Sequence, residues 1–462
     1  SSHVVREEIG GVDAVFLARL RRAELNVTAS LRALLQRDAS SATRPALDAG
    51  KAIAAFEKES GFEMAPAQRE AVELAAREPV MVLTGPPGVG KSAICSAMLK
   101  MYEAAKLNVV LAAPTGRAAK RLAEATGHDA STLHRMLVWE PRTGGFERCR
   151  ANPIPADVVL VDESSMIDVR LAESLLDAIA AGTRLLFAGD VDQLPSVGPG
   201  AVLRDVITSG IVPTARLTQI FRQAKGSQIS VAAQQINAGQ FPTSAEGPNG
   251  EFYVIERAEP ADAADTIVDL VTKRIPDAFG FKADDIQVLT PMHTVETGTI
   301  ALNDKLQAIL NPDGAPLNRK GKVFRVGDRV TQTRNNYDLE VYNGAIGVVS
   351  RLGDDGSDVL LYVRFEDGRE IPYEGSDLSD LTLAYCISAH RSQGSGFPVV
   401  IVVMLTAHYA LLSRNLLYTA VTRGKRLVCL VTQKRALKLA LSETRKAERH
   451  TALSHRLVTA LS

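Results

Sequence analysis

The sequence predicts an α/β protein with two parallel-sheet domains in tandem, a small β-barrel inserted into the second, and a short helical N-terminal region. Three observations carry this. From residue 80, short apolar runs alternate with amphipathic segments, as in "VMVLT", "NVVLAAPT", "DVVLVDE" and "RLLFAGD", and each run ends in a small or charged residue. Parallel sheets covered by helices read this way, and their ligands collect at the carboxyl ends of the strands. The same rhythm returns after residue 285 in "DIQVLTP", "PVVIVVM" and "RLVCLVT". Residues 320–375 differ: "KVFRVGDRVTQT", "AIGVVSRL", "VLLYVRFEDG" and "REIPYE" read as short strands joined by Gly, Asp and Asn turns.

Taken in order, residues 10–37 and 48–77 show helical spacing of Leu, Ala and Val, with the turn-rich "RDASSATRP" between them as a linker. The expected divisions are a helical N-terminal region and linker over 1–60 and a first α/β domain over 61–225, with a hairpin insertion at about 138–156. A second α/β domain is expected from 226–319 and 376–450, interrupted by the barrel at 320–375 and followed by a tail over 451–462. The opening "SSHVV", without a methionine, is read as a trimmed end.

At 462 residues, 46% of them hydrophobic, the chain is long enough for two or three domains with proper cores. Lys plus Arg equal Asp plus Glu at 53 each, so any basic surface that meets nucleic acid must be local. The four cysteines, Cys95, Cys149, Cys386 and Cys429, have neither metal-ligand spacing nor a disulfide pattern, which points to a reducing, cytoplasmic setting. No apolar run is long enough to span a bilayer and no charged-then-apolar leader opens the chain, so no membrane partner is expected.

The strongest chemical signal is "VLTGPPGVGKSAI", in which Gly85, Gly90, Lys91 and Ser92 fit a phosphate-binding loop between a strand and a helix. The loop Gly85, Pro86, Pro87, Gly88, Val89, Gly90, Lys91, Ser92 and Ala93 can surround phosphates with the backbone N–H groups of its non-proline residues, Lys91 adds a positive charge, and the Ser92 hydroxyl can ligate magnesium. ATP and Mg2+ are therefore the expected cofactors. In "VVLVDESS", Asp162 ends a strand and is placed to hold the metal, and Glu163 is placed to orient or deprotonate an attacking water. A third strand end, "LLFAGDVDQLPSVGPG", brings Asp190 and Gln193 to the same rim. There the Gln193 amide can sense a terminal phosphate, and Asp190 either joins it or only caps the next segment.

The ordered series "GPPGVGKS", "APTGRAAKRL", "STLHRML", "VDESSM", "GDVDQLPSVGPG", "LTQIFRQ", "ISAHRSQGS" and "NLLYTAVTRGKRL" resembles the motifs of superfamily 1 helicases, and within them the RecD-like branch. The match runs from about residue 60 to about 435. The resemblance implies two RecA-like motor domains and an SH3-like barrel, with ATP-driven movement along single-stranded DNA in the 5′ to 3′ direction and unwinding of duplex DNA at junctions. It implies work on the bacterial nucleoid, in repair or recombination, as a monomer. About sixty residues stand before the core, fewer than the family's usual N-terminal extension, so a missing domain or a protein partner is also expected.

Site residues follow from the same resemblance. Gln68 in "MAPAQREAV" matches the glutamine that reads adenine, and Arg222 in "IFRQ" and Arg423 in "AVTRGK" match the arginines that reach the terminal phosphate from the opposite domain. A planar cation there stabilises the charge that develops in phosphoryl transfer. DNA contacts are expected from Pro114, Thr115, Gly116 and Arg117, from Thr132, His134 and Arg135, and from His390, Ser392 and Gln393. In the barrel, Arg334, Asn335, Asn336, Tyr337 and Asn343 are expected along the strand's path, although turn geometry accounts for part of that Asn and Gly content. "WEPRTGGFERCRANPIPA" reads as a hairpin, which acts as a pin at the duplex junction in the resembling family. Trp139, the only tryptophan, and Phe146 either stack on a base or pack beneath that hairpin. The basic run over 423–446 reads as a solvated helix face, or in part as a contact to the strand's backbone.

One position departs from the family's pattern. Gly396 stands where "SQGSE" carries a glutamate facing the nucleotide's sugar, which predicts a weakened sugar contact or looser coupling. Two other classes compete with the motor reading: an ATP-switched DNA-binding or assembly module without processive unwinding, and a P-loop kinase or transport ATPase. Stimulation of ATPase by single-stranded DNA excludes the second.

Overall fold

The computed structural model describes residues 3–36, 46–140, 142, 144–218, 227–319, 321–336, 338–354, 356–443 and 449–461. The chain divides into two units, Ser1–Phe221 with Glu448–Ser462, and Arg222–Ala447.

In the first unit six strands form one parallel sheet, in the spatial order Thr214–Arg216, Val80–Thr84, Arg184–Gly189, Val158–Val161, Val109–Ala113 and Ala130–Thr132. The central strands are buried almost throughout because apolar layers cover both faces. One layer joins Val159, Val161 and Phe187 to Val27 and Leu31 of the helix Ala18–Leu35, and the other joins Leu111 and Leu160 to Met98, Tyr102 and Val72. The edge strands Ala130–Thr132 and Thr214–Arg216 have three residues each, too few to show a periodicity in sequence.

The second unit repeats the plan with five parallel strands, ordered Phe252–Glu256, Gly424–Thr432, Phe397–Met404, Ile286–Thr290 and Cys386–Ser388. Its insertion is an antiparallel sheet ordered Glu370–Glu374, Val359–Phe365, Ile346–Leu352, Arg329–Gln332 and Leu381–Leu383, closed around Phe324, Val330, Leu361 and Tyr373. The buried Asp328 carboxylate ties this module down. It accepts from Asn311 Nδ2 at 2.7 Å, Arg325 N at 2.6 Å, Tyr385 Oη at 3.0 Å and Gln307 Nε2, which bring together the barrel, the helix Thr299–Leu310 and the run into Cys386–Ser388.

Both chain ends differ from the sequence reading. The helix expected from residue 10 begins at Ala18, and Val4–Ile9 pairs with Val12–Leu17 as an antiparallel hairpin. Gly10 and Gly11, with φ of 58° and 82°, supply the two left-handed residues of a tight hairpin turn, a conformation that no helix continues through. The expected tail over 451–462 is largely the helix Leu453–Leu461, and it packs in the first unit. Leu453 and Leu457 share the core of Val27, Leu31 and Val206, and burying each stabilises by about 1.5–3 kcal/mol. Arg456 lies across this seam, donating to both Glu7 oxygens at 2.8 Å and to Glu24 Oε2 at 3.2 Å. No helix among the described residues is long and apolar enough to cross a membrane.

Candidate functional site

The first unit collects its polar loops at the carboxyl ends of the strands. Val80–Thr84 leads into the loop 85–90, and the helix Lys91–Ala104 leaves it. Gly88 and Gly90 both have φ of 84°, so the loop turns its N–H groups inward where a side chain would strain the backbone. Lys91 Nζ donates to Gly85 O at 2.6 Å and Pro86 O at 3.1 Å, which holds the ammonium over the loop. The helix places its N-terminal N–H groups beside it, with no acidic residue in the first turn to oppose an anion. Gln68 is buried beneath this loop: its Oε1 accepts from Ala65 N and its Nε2 donates to Val89 O, both at 2.9 Å. It thus fixes the loop to the helix Pro66–Arg77.

Asp162 follows Val158–Val161 at the same rim. Its surroundings push the carboxyl well above its usual range, first by burial and then by the neighbouring Glu163 charge; Lys91 and Arg121 and the 2.8 Å bond from Glu163 N act in the opposite sense. A carboxylate raised by desolvation is suited to a cation ligand, because a cation restores the charged form. Glu163 itself has φ of 50°, a left-handed conformation that costs of order 1–3 kcal/mol outside glycine and is sustained by its surroundings. After Arg184–Gly189, the Asp190 carboxylate accepts from Asp192 N and from Gln193 Nε2, both at 3.1 Å. Asp190 thus caps its own turn and holds the Gln193 amide.

The donor set at this rim is oxygen only, from the Ser92 hydroxyl and the Asp162 carboxylate, and no group of three or more His, Cys, Asp or Glu among the described residues could cage a metal. That fits Mg2+, which takes few protein ligands and completes its shell with water and phosphate. Two buried hydroxyls without partners, Thr84 Oγ1 and Ser165 Oγ, lie in the segments flanking the loop and the Asp162–Glu163 pair.

Two neighbouring strand ends carry the first group of expected DNA contacts. Ala113 and Thr132 are paired across Val109–Ala113 and Ala130–Thr132. Thr115 caps the helix Gly116–Thr126 through Ala118 N, and Thr132 caps Leu133–Met136 through Arg135 N, each at 3.2 Å. Pro114, Gly116 and Arg117 are partly exposed beside the first cap, and Arg135 is exposed beside the second. His134 packs against Phe146 and Trp139, with ring centroids 5.6 and 6.3 Å away, and Trp139 meets Phe146 edge-on at 5.0 Å. Burial in this trio lowers the His134 pKa. Trp139 and Phe146 face each other across the two strands of the hairpin, so packing within the hairpin occupies both rings.

In the second unit, the loop after Cys386–Ser388 turns at Gly394, whose φ is 69°. Ser392 is fully buried and donates to Ala389 O at 2.7 Å, Gln393 is buried, and His390 keeps an exposed edge, with burial lowering its pKa and the neighbouring His293 lowering it further. Arg423 is buried as well: it donates to Thr419 O at 3.0 Å, Ser395 O at 3.2 Å and Thr422 Oγ1 at 3.3 Å. It therefore joins the helix Arg414–Val421 to the Gly394 loop. In the barrel, Asn335 Oδ1 accepts from Asn343 N at 2.9 Å, so these two exposed residues close one turn. Asn336 is a turn former, accepting from Asp338 N and Leu339 N, and Arg334 is exposed 4.0 Å from Asp380. Arg222 and Tyr337 lie outside the described residues.

The structure adds residues that the sequence reading passed over. His293 stands just past Ile286–Thr290, and its pKa is lowered by burial and by Arg391, which places an imidazole and a guanidinium next to His390. The signal was present: "LTPMHT" follows its strand as "APTGR" follows Val109–Ala113.

Comparison with known proteins agrees with this geometry. Residues 63–251 match a family model described as an AAA domain, residues 302–365 the ATP-dependent RecD-like DNA helicase SH3 domain, and residues 383–431 the UvrD-like helicase C-terminal domain. The chain is 36% identical over 449 residues to the ATP-dependent RecD2 DNA helicase of Deinococcus radiodurans, covering 97% of this chain but only 59% of that relative. It is 33% identical over 429 residues to the RecBCD enzyme subunit RecD of Mycobacterium tuberculosis, covering 84% of this chain and 72% of that one. A Pif1 helicase structure concerned with DNA unwinding at forked duplexes aligns at a TM-score of 0.54 and 20% identity, over 83% of this chain and 95% of its own, a likeness of fold. With identity of that order to a RecD subunit over most of its length, and a RecD-like barrel in the second unit, the chain belongs to the RecD-like family of superfamily 1 helicases.

Proposed function

We propose that the chain is an ATP-driven motor that moves 5′ to 3′ along single-stranded DNA and opens duplex DNA at junctions, in repair or recombination on the bacterial nucleoid. The observation that carries this reading is the single rim at which Lys91, Ser92, Asp162, Glu163 and Gln193 gather, in a chain that also holds a second parallel sheet and the family's barrel. The names of the relatives, an ATP-dependent DNA helicase and a RecBCD subunit, support it.

In this reading the inward N–H groups of the loop and the N-terminus of the helix Lys91–Ala104 bind the phosphates, and Lys91 exchanges its two carbonyl partners for phosphate oxygens. Ser92 and Asp162 hold the divalent cation, which supplies charge neutralisation on the transferring group. Glu163 orients the attacking water, and Gln193, held by Asp190, reads the terminal phosphate. Gln68 acts on adenine through the loop it anchors. Arg222 and Arg423 stabilise the developing charge, as planar cations do in related phosphoryl transfers. Thr115, Thr132 and Arg117 in one unit, and His390 and Asn335 with Asn343 in the other, form two grips on the DNA backbone that alternate as nucleotide binds and leaves.

Strand displacement on substrates with a 5′ or a 3′ single-stranded tail tests activity and polarity together. Unwinding restricted to the 5′-tailed substrate is expected, and opening of the 3′-tailed one alone would reverse the assignment. A second reading, an ATP-switched module acting within a larger assembly, is favoured by the M. tuberculosis relative being named as an enzyme subunit. ATPase stimulated by single-stranded DNA without strand displacement would select it.

A further inference from the structure

We infer that the hydroxyls of Thr84 and Ser165 are positioning groups for Glu163: joined by one buried water across Gly189, they tie the strand that delivers the phosphate loop to the turn that carries Glu163. The inference rests on the motor reading above, in which Glu163 orients the attacking water, and it lies wholly within the first unit.

The two hydroxyls come from different elements and stand on one face of the sheet. Along Val80–Thr84, Val80 and Val82 belong to the core layer of Val159, Val161 and Phe187, while Met81 and Leu83 belong to the opposite one. Side chains alternate along a strand, so Thr84 continues the first series. Gly189 continues the same series after Leu185 and Phe187, and it is the register partner of Thr84 on the neighbouring strand. The turn after Glu163 lies over Gly189: a Cβ there would stand 3.1 Å from Ser164 N, 3.2 Å from Ser165 N and 3.0 Å from Leu203 Cδ2. A glycine lets the turn settle this closely onto the strand.

Both oxygens are buried, and neither Thr84 Oγ1 nor Ser165 Oγ has a partner among the described residues. Thr84 as a whole is 3% exposed. A buried hydroxyl left unpaired costs stability that a side chain of the same shape without the oxygen would not, so two of them on one face mark a place for a bridging water. Neighbouring strands lie about 4.8 Å apart, and two hydrogen bonds through one water span roughly 5.6 Å, which is the scale of the step from Thr84 across Gly189 to Ser165.

The tie bears on Glu163 because Ser165 sits inside the turn that Glu163 begins. Met166 N donates to Glu163 O at 3.0 Å and Ile167 N to Ser164 O at 3.2 Å around it. Ser164 spends its own hydroxyl on Val161 O at 2.8 Å, so the turn is fixed to its own strand by Ser164 and to the far side of the neighbouring one by Ser165. These two ties supply the surroundings that hold Glu163 at φ of 50°. On the other side, Thr84 runs directly into Gly85, whose carbonyl accepts from Lys91 Nζ at 2.6 Å and whose N–H donates to Gly189 O at 3.3 Å.

The test is made on the full chain with Thr84→Val and Ser165→Ala, singly and together, which remove the oxygens and nearly keep the shapes. Each is expected to lower DNA-stimulated kcat about five- to tenfold with KM for ATP within about twofold. The double variant is expected to lose no more than about twofold beyond either single one, because both act through one bridge. Thr84→Ser keeps the hydroxyl and should recover most of the loss. Added to Glu163→Gln, the same substitutions should change the residual turnover by less than about twofold, since their effect runs through that carboxylate. Wild-type kcat in either single variant would overturn the tie, as would losses that multiply in the double variant, or a loss that follows a fall in melting temperature and is not recovered in Thr84→Ser. Normal turnover in Glu163→Gln would instead sink the motor reading's assignment of Glu163.

Discussion

In the first unit the groups at the strand ends stand around the loop they would serve: Lys91 bonds only loop carbonyls, Ser92 is exposed, and Asp162 is desolvated enough to want a cation. The second unit, built on an equally parallel sheet, closes its corresponding rim on itself. There Ser392 is 0% exposed, Arg423 is 2% exposed, and the guanidinium holds Ser395 O and Thr419 O. The same architecture thus presents an open rim in one unit and a closed one in the other. In the first unit the polar atoms are placed for a ligand, and in the second they fix the relation between one helix and one loop.

Lys91→Ala should produce the largest effect, lowering ATP turnover by ~10³-fold or more while DNA binding persists, because it removes the cation that the loop carbonyls hold in place. Normal turnover in that variant would move the chemistry away from this rim. Arg423→Ala is expected to cost about 10²–10³ in turnover and also about 1–3 kcal/mol in stability, because it strands the buried carbonyls of Thr419 and Ser395. Arg423→Lys separates the two effects. If the residue only braces the second unit, activity should return with the melting temperature; if it also acts on phosphate, stability should return without activity.

The first unit has its own lock, but away from the rim, where Glu24 and Asp205 both meet Thr451. Burial, assisted by the Glu24 charge, pushes the Asp205 carboxyl up to about 6 from 3.8, against the Thr451 bond and Arg204. A folded-state value above the unfolded one means that the native state binds this proton more tightly. The site therefore carries no penalty below about pH 4, and the penalty grows between pH 4 and 6 and is complete above that. Asp205→Asn keeps an acceptor for Thr451 and removes the charge, so it should stabilise by about 1–3 kcal/mol at pH 8 and by nearly nothing at pH 4. Denaturation midpoints at the two pH values check this, and an equal effect at both would mean that Asp205 is not the titrating group.

Sequence pattern exposed the two sheets because fully buried parallel strands are apolar throughout, as Val158–Val161 and Phe397–Met404 are, and because the loop at 85–92 has a spacing that backbone geometry demands. It placed Asp162, Asp190 and Gln193 on one rim, since parallel strands share an end. The N-terminal hairpin was misread as helix because Val, Ala and Leu recur there at spacings that suit either element, while the Gly10–Gly11 turn carried the deciding information. The docking of the C-terminal helix was not legible: nothing local in "ERHTALSHRL" says that Arg449 bonds carbonyls near residue 197 or that Arg456 pairs with Glu7. His293 was missed for a different reason, since its strand was found and its loop was not followed past Pro291.

The smallest expected effect bears on the closed rim itself. A Cβ at Gly396 would lie 2.9 Å from Lys425 Cε and 3.8 Å from Arg423 O, and its backbone lies outside the left-handed region, so a side chain fits once the flexible Lys425 end swings aside. Gly396→Glu then restores the carboxylate of the family's pattern, but it does so beside an ammonium that competes for it. An exposed ion pair of this kind contributes about 0.2–1 kcal/mol, so the tightening of ATP binding or the rise in DNA-stimulated turnover should be no more than about fivefold. Gly396→Glu combined with Lys425→Ala removes the competitor and should show the larger gain of the two. Unchanged KM and kcat in both variants would mean that the closed rim of the second unit is indifferent to this carboxylate.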